Sequence, residues 1–437
     1  MNDATKQVGL LGAIAIGIGG MVGGGIFAVL GEAVSLAHGA TAIAFIVAGF
    51  VALLTAYSYA KLSVAYQQSG GTVVFIDNAF GHNLLSGSIN VMLWLSYLVT
   101  ISLYATAFAS YGETFFAANS PWWLKHVLIS VAIILPTIIN LISASFVSKS
   151  ETFIVVIKVV LLVLIIVSGL FYVDPEKLAP NKWGEPFTII AAGMIIFVAY
   201  EGFELIANAA SDIKDPNVNL PRAFYGSVII VILLYVLISI VTVGTVPEAQ
   251  LLQAKDYALA VAAEPALGKI GFTIVAIAAL LSTFSAINAT IYGNARLGYA
   301  LAVSGELPSS LKKLKHNIPV DGILATTIFS LFIANSIDLT EIAIIGSAGF
   351  LLIFALVNIS AFKLRKNIKA NSIITLIASL ISIAALTTLL LHTYHSNPRA
   401  IAVFFAFIAI SIIFEMIYGI LIRKHLFKRK YFCSCNE

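Results

Sequence analysis

Apolar runs of about 20 residues recur along the whole of this chain, each long enough to cross the hydrocarbon core of a bilayer as a helix. No other feature constrains the fold as strongly. In lipid every backbone N–H and C=O must be satisfied, and a helix does this within itself. Of 437 residues, 60% are hydrophobic and 11% charged, where a soluble domain has roughly a quarter charged. The mean hydropathy is +0.99. The pattern predicts a polytopic, all-α integral membrane protein with no soluble domain of useful size. A short polar N-terminal tail precedes the first run and no small-residue cleavage site follows it, so that run is expected to be a retained span.

About twelve spans are legible by length and hydropathy. They are Val8–Ala33 (broken), Ala40–Tyr59, Leu84–Tyr111, His126–Ile142, Phe153–Val173, Pro186–Ala210 (broken), Pro221–Val243, Ile270–Ala300, Ile323–Ser336, Ile342–Leu364, Ile373–Leu391 and Ala400–Ile422. With the N-terminus inside, roughly 18 Lys/Arg residues fall on the cytoplasmic side and roughly 6 outside, and basic loops stay inside. The clusters decide it: Lys312, Lys313 and Lys315; Lys363, Arg365, Lys366 and Lys369; Arg423, Lys424, Lys428, Arg429 and Lys430. Both termini are expected to be cytoplasmic, and the chain to sit in the cell (plasma) membrane.

Two of these spans are interrupted. The first carries Gly17-Ile18-Gly19-Gly20-Met21-Val22-Gly23-Gly24-Gly25-Ile26-Phe27. The sixth carries Ala199-Tyr200-Glu201-Gly202-Phe203-Glu204. Matching interruptions in two halves of a membrane protein point to a transporter binding site. The expected organisation is therefore residues 1–174 as a first repeat of five spans and 175–369 as its inverted copy. Residues 370–425 add two further spans, and 426–437 form a cytoplasmic tail.

At the first break, Gly23, Gly24, Gly25 and Ile26 are expected to open a second half-helix. The first amides of a helix lack internal partners and sit at the positive end of its dipole, a setting that binds a carboxylate. Glycine there lets a ligand approach the backbone. The preceding half-helix, ending near Gly17 and Ile18, is expected to offer carbonyl oxygens to an ammonium group. One break then holds both poles of an amino acid. The competing reading is helix packing through the small-residue pair Gly19 and Gly23.

Glu201 and Glu204 lie within a span, where an ionisable residue costs about 2.5–3.5 kcal/mol by insertion scales and is a functional candidate by default. Either is a candidate carrier of a coupling proton or sensor of a cationic side chain; the plain alternative is a carboxyl bridging two helices. Lys158 is the one Lys or Arg deep in an apolar helix. Glu151, its nearest charged neighbour on that helix face, is seven residues away, about 10 Å along the axis, so its partners must come from other helices. A buried ammonium there stands where a bound cation could; the alternative is a static lysine bonded to broken-helix carbonyls. Ser282 and Ser285, one turn apart on the eighth span, offer hydroxyls to Lys158 or to Na⁺, although serine in membrane helices commonly bonds its own backbone.

Glu32 and Glu415 read as structural, and His392 and His395 as surface residues. Cys433 and Cys435, the two cysteines of the chain, read as free thiols of the tail rather than a disulfide framework. The net charge of +4 is spread over loops and suggests no nucleic-acid partner. HExxH, P-loop and GxSxG patterns do not occur, so no enzyme, cofactor or metal site is expected.

Several stretches resemble the amino acid–polyamine–organocation (APC) transporters. Gly23-Gly-Gly-Ile-Phe27 is similar to their first-helix signature, and Ala56-Tyr-Ser-Tyr-Ala-Lys-Leu62 with Gly70-Gly71 and Ala79-Phe-Gly81 to the segment that follows. Ala199-Tyr-Glu-Gly-Phe-Glu204, Asp215-Pro216 and Pro221-Arg-Ala223 resemble the sixth helix and its loop; Arg296 and Gly305-Glu-Leu-Pro308 resemble the end of the eighth. The resemblance implies a LeuT-like fold: twelve transmembrane helices, a 5+5 inverted repeat plus two, and alternating access. It implies that a substrate carboxylate meets the amides of Gly23 to Ile26, and its amine the carbonyls near Ile18, Val198 and Glu201. It places Lys158 where sodium-coupled relatives hold an ion and where proton-coupled, archaeal ApcT-like members carry a lysine. It sets Glu204 on a glutamate linked with proton coupling in some exchangers. Two residues depart from the pattern: Lys61, where many members have glutamate, and Glu201, where an apolar residue is usual.

The function expected from these readings is amino acid uptake by proton-coupled symport. H⁺ is the coupling ion, Na⁺ is not expected, and the protein is a monomer or homodimer in the bilayer. Lys158, Glu204, Ser282 and Ser285 form the expected coupling set. The alternatives are an exchanger for cationic amino acids or polyamines, with Glu201 as counter-charge, and a non-transporting amino acid sensor. A channel fits least, since no charged or carbonyl-rich ring is legible.

Overall fold

A computed structural model describes residues 8–68, 70–116, 121–142, 144–316 and 318–424. Cys433, Cys435, the basic run 428–430 and the side chain of Glu151 lie outside the described residues. Among the described residues there is no strand, only three isolated bridges.

The chain begins with α1 (Leu10–Met21) and α2 (Gly25–Ala37), bent by 50° across residues 22–24. It returns in α3 (Thr41–Ala65), followed by the short α4 (Thr72–Phe80), the long α5 (Leu84–Glu113), α6 (Trp123–Ile142) and α7 (Ala144–Gly169). Then come α8 (Pro186–Ile195), a 3₁₀ stretch Ile196–Tyr200, and the single turn α9 (Leu205–Asn208). After α10 (Pro216–Thr245), two short helices, α11 (Glu248–Gln253) and α12 (Ala258–Ala262), precede α13 (Glu264–Val303). The chain closes with α14 (Val320–Ser336), α15 (Leu339–Lys363), α16 (Ser372–Ser396) and α17 (Pro398–Tyr418).

Ten helices among the described residues are long and apolar enough to cross a bilayer, and the bent α1–α2 pair makes an eleventh. Helix α14, with 17 residues, is apolar but shorter, as its sequence suggested. The protein is a multi-pass membrane protein. Its helices are unequally covered. The most apolar windows of α5 and of the α8–α9 span are 89% buried, those of α16 and α17 33% and 22%. The broken segments therefore lie in the middle of the bundle, and the last two helices lie at its periphery.

Several stretches depart from the sequence-based boundaries, among them the start of α7, nine residues before Phe153, and the end of α3, six residues after Tyr59. Helix α13 begins six residues earlier than expected and runs for 40 residues, because Gly268 (φ 61°) joins a short helical piece to the long span. Residues 247–263, between two of the expected spans, hold α11 and α12, which pack on α2.

Candidate functional site

Helix α1 does not end near Gly17 and Ile18. The Val22 N–H donates to the Ile18 carbonyl at 2.7 Å, so the helix continues to Met21 and that carbonyl is already engaged. The earlier glycines admit neighbours. A Cβ on Gly17 would lie 2.6 Å from Ser227 Oγ, and one on Gly19 2.8 Å from Val155 Cγ2. The break is Val22-Gly23-Gly24. Its carbonyls are held from outside: the Tyr235 hydroxyl donates to Met21 O at 2.7 Å, and the Ser282 hydroxyl contacts the oxygens of both Val22 and Gly23. The first amide of α2 with an acceptor is Ala28, bonded to Gly24 O at 2.9 Å. The amides of Gly25, Ile26 and Phe27 have no protein acceptor among the described residues. This is the positive end of a helix, buried, with its donors unspent.

The second break is tighter. From Ile196 to Tyr200 the chain is 3₁₀, and Gly202 takes φ +119°, a conformation an L side chain resists. The carbonyl of Val198 accepts the Glu201 N–H at 3.2 Å, while its own N–H donates to Ser347 Oγ at 2.9 Å. Ser347 in turn donates to Ile195 O at 2.5 Å. One serine of α15 thus fills the gap left in the ladder, the kind of repair expected of a broken membrane helix. Phe203 packs its ring against Tyr59, Phe224 and Phe354 at 5.3–6.4 Å, which anchors the break in an aromatic core.

The two breaks touch. A Cβ on Gly20 would fall 2.6 Å from Gly202 O; one on Gly25 would fall 2.7 Å from Ala199 Cα. The Tyr235 hydroxyl that reaches Met21 O also reaches Ala199 O at 3.1 Å. Glu201 and Glu204 are 4% and 1% exposed. Tyr104 donates to Glu201 at 3.3 Å and Tyr97 to Glu204 at 3.2 Å; Glu204 also accepts the Gly202 N–H at 2.7 Å. Both carboxyls are thus held by tyrosine hydroxyls of α5, two turns apart on the same helix.

A narrow cavity of about 60 Å³ reaches this junction. Its wall includes Gly19, Gly20, Glu201, Gly202 and Ala286, and it extends past Thr290 and Asn294 to Gly70, Asn208 and Leu297. It therefore runs toward the face carrying loops 66–71, 209–215 and 304–319. Gly23, Gly24, Gly25 and Ile26 do not line it. The Tyr104 ring lies between: a Cβ on Gly24 would sit 2.7 Å from Tyr104 Cγ, so the ring covers the approach to the α2 amides.

Of the remaining expected residues, Ser282 is found at the first break, as above, and Ser285 is buried on α13 at 6% exposure. Lys158 is 3% exposed. It lies on the buried stripe of α7 with Val155 and Leu162. Val155 is the residue that presses on Gly19, and Lys158 is three residues further along, about 4.5 Å of helix rise. Lys61, one of the two departures, lies over the Tyr57 ring at 5.9 Å. The sequence reading missed Tyr97, Tyr104, Tyr235 and Ser347. Tyr97 and Tyr104 are seven residues apart on one face of α5, and buried hydroxyls in an apolar span need partners; that was the available signal.

On the opposite face the bundle is tied shut. Glu32 near the end of α2 pairs with Lys255, and Thr340 of α15 donates to Glu32 at 3.1 Å and accepts from Lys255 at 3.2 Å. Beside them Asp256 pairs with Lys125 at 3.6 Å.

Comparison with known proteins identifies the family of the chain. The amino acid permease family matches residues 8–422. The chain is 32% identical over 420 residues to the inner membrane transport protein YbaT of Escherichia coli, covering 95% of this chain and 97% of that one. It is 28% identical over 371 residues to a methylthioribose transporter of Bacillus subtilis, 80% and 79% of the two chains. With the branched-chain amino acid permease BcaP of the same organism it shares 24% over 383 residues, 84% and 82%.

Proposed function

We propose that this chain, which belongs to the amino acid permease family, takes up amino acids by proton-coupled symport through alternating access. The observation that carries the proposal is the junction of two broken helices, Gly20 against Gly202, in the wall of a cavity that extends past Thr290 and Asn294 to Gly70 and Asn208. The unspent amides of Gly25, Ile26 and Phe27 suit a carboxylate, and Glu201 in the cavity wall suits an ammonium. In this reading the Tyr104 ring swings off Gly24 when substrate binds.

The reading includes the LeuT-like arrangement: α14 as a twelfth span, spans one to five and six to ten as inverted repeats, and both termini in the cytoplasm. The cavity then faces inward and the Glu32–Lys255–Thr340 tie lies outside. Lys158, three residues beyond Val155 on α7, is in this reading the coupling residue, with Ser282 and Ser285 as its partners and the Glu201–Glu204 pair as a second proton store. Protonated Lys158 holds α1 and α13 together; its deprotonation loosens them and releases substrate inward. The driving force is about 2.3 kcal/mol per proton per 100 mV, plus any pH gradient.

The test is uptake of labelled amino acids into proteoliposomes under an imposed proton gradient, with and without sodium, for wild type and Lys158→Ala. Sodium-independent, proton-driven uptake that the variant loses or uncouples from pH is expected. Sodium-dependent uptake, or an unchanged pH response in the variant, would overturn the coupling assignment. A second reading, exchange of cationic amino acids or polyamines, is favoured by the position of Glu201 in the cavity wall. Glu201→Gln with an unchanged substrate profile would dismiss it.

A further inference from the structure

A second, larger cavity lies away from the breaks, between α5, α15 and α17. It measures about 620 Å³ and is walled by Leu84 and Met92 of α5, Leu352 and Leu356 of α15, and Ile408 and Ile412 of α17. Its two hydroxyls are spent on their own helices: Ser88 donates to Leu84 O and Ser411 to Ile408 O, both at 2.8 Å. The groove therefore offers hydrocarbon contact and little else. It also has a definite length. From Asn83 at its mouth to Met92 is nine residues of α5, about 13 Å of helix, close to half of a bilayer's roughly 30 Å hydrocarbon core. One leaflet's acyl chain fits that span.

The mouth is not neutral. Leu356 and Lys363 are two helical turns apart on one face of α15, so the exposed Lys363 lies about 10 Å beyond the groove wall toward the membrane surface. Its ammonium stands 5.1 Å from the centre of the Phe80 ring, and the Phe80 carbonyl accepts the Asn83 side-chain amide at 2.7 Å. The mouth thus joins Asn83 to a lysine through one aromatic ring. Arg365, Lys366 and Lys369 follow in the same loop. Carboxylates in these segments already have partners: Asp77 has the His82 ring at 3.3 Å, and Glu415 has the Arg423 guanidinium at 2.7 Å.

We propose that this groove binds an anionic phospholipid of the adjoining leaflet, one acyl chain between α5, α15 and α17 and the phosphate beside Lys363. Fixed there, the lipid braces the peripheral α17 against the central α5 and α15.

The test is native mass spectrometry and thermal unfolding of the purified full-length protein with added phosphatidylglycerol or phosphatidylcholine. The variants are Lys363→Gln, Leu356→Trp and Ile412→Trp. Wild type should retain phosphatidylglycerol preferentially and unfold at higher temperature with it. Lys363→Gln should erase most of that preference, about fivefold, the scale of one basic residue at an anionic lipid surface. Either tryptophan, by filling the groove, should remove retention of both lipids. Glycerol phosphate, which has no chains, should compete with neither. Equal retention of the two lipids by wild type, an undiminished preference in Lys363→Gln, or lipid retained by a folded tryptophan variant would overturn the proposal. Competition by glycerol phosphate would reassign the site to a free anion. Lys363 is exposed, so its comparison decides the headgroup assignment even where a groove-filling variant does not fold.

Discussion

Gly20 and Gly202 stand back to back. A Cβ on either would lie within 2.7 Å of the other's backbone, and neither backbone can yield without moving its half-helix. Overpacking of this kind costs about 1–3 kcal/mol, and Gly202 adds the strain of its positive φ. Gly20→Ala and Gly202→Ala are therefore expected to lower Tm in detergent and to abolish uptake. Gly226→Ala, whose new Cβ would meet only Ile14 at ordinary contact distance, should preserve both. Wild-type uptake in Gly20→Ala would show that the breaks are not in contact.

Glu204 is held by geometry that an amide can partly copy. It accepts from Gly202 N–H and from Tyr97. Glu204→Leu would leave both donors buried without an acceptor, at about 1–3 kcal/mol each. Glu204→Gln keeps one carbonyl oxygen. We expect the leucine variant to lose thermal stability clearly and the glutamine variant to keep most of it while changing the pH dependence of uptake. Comparing Tm and uptake between pH 5 and 8 for both separates a positioning role from a proton-carrying one.

Much of this centre was legible in the sequence. Six glycines in one span and two carboxylates in another are costly in lipid, so they announced both breaks. Lys158 stands out in the sequence for the same reason, and it is buried. What was not legible depends on contacts between distant segments. Gly17, Gly19 and Gly20 look like part of the break, but Ser227, Val155 and Gly202 fill the space they leave, and the helix survives to Met21. Tyr235 and Ser347 sit in ordinary apolar helices; only packing reveals that they satisfy backbone groups freed by the breaks. The partner of Glu32, Lys255, was not legible either, since it lies more than two hundred residues away in a segment without hydrophobic period.

The tie between Glu32, Lys255 and Thr340 closes the face away from the cavity. Lys255→Met removes its cation and leaves the largely buried Glu32 with a single donor, Thr340. A loss of about 1 kcal/mol from the closed arrangement, the scale of a partly exposed pair, shifts the population about fivefold. The expected readout is faster labelling of a cysteine placed at Ala28 by a membrane-impermeant reagent. Unchanged labelling would make the ion pair incidental.

Asn90 links two stretches that the sequence resemblance picked out separately. Its amide donates to Asp77 beside the Ala79-Phe-Gly81 segment, at 3.3 Å, and to Glu306 of Gly305-Glu-Leu-Pro308, at 3.0 Å. Asn90→Leu should destabilise the protein by about 2–4 kcal/mol, since Glu306 is fully buried and loses a donor. Asn90→Asp should be worse, because it adds a third carboxyl. A higher Tm for Asn90→Asp than for Asn90→Leu would sink this account.

The hydroxyl of Tyr235 has a single proton and offers it to two carbonyls, Met21 at 2.7 Å and Ala199 at 3.1 Å, one from each broken helix. Such a bond is shared only while the helices stay this close. If they separate, the proton follows one carbonyl and the other is left bare, an oxygen free to face an ammonium. The number of oxygens open to a passenger is then set by the spacing of the two halves as well as by the sequence, and affinity for the amine becomes a gauge of how far apart they stand.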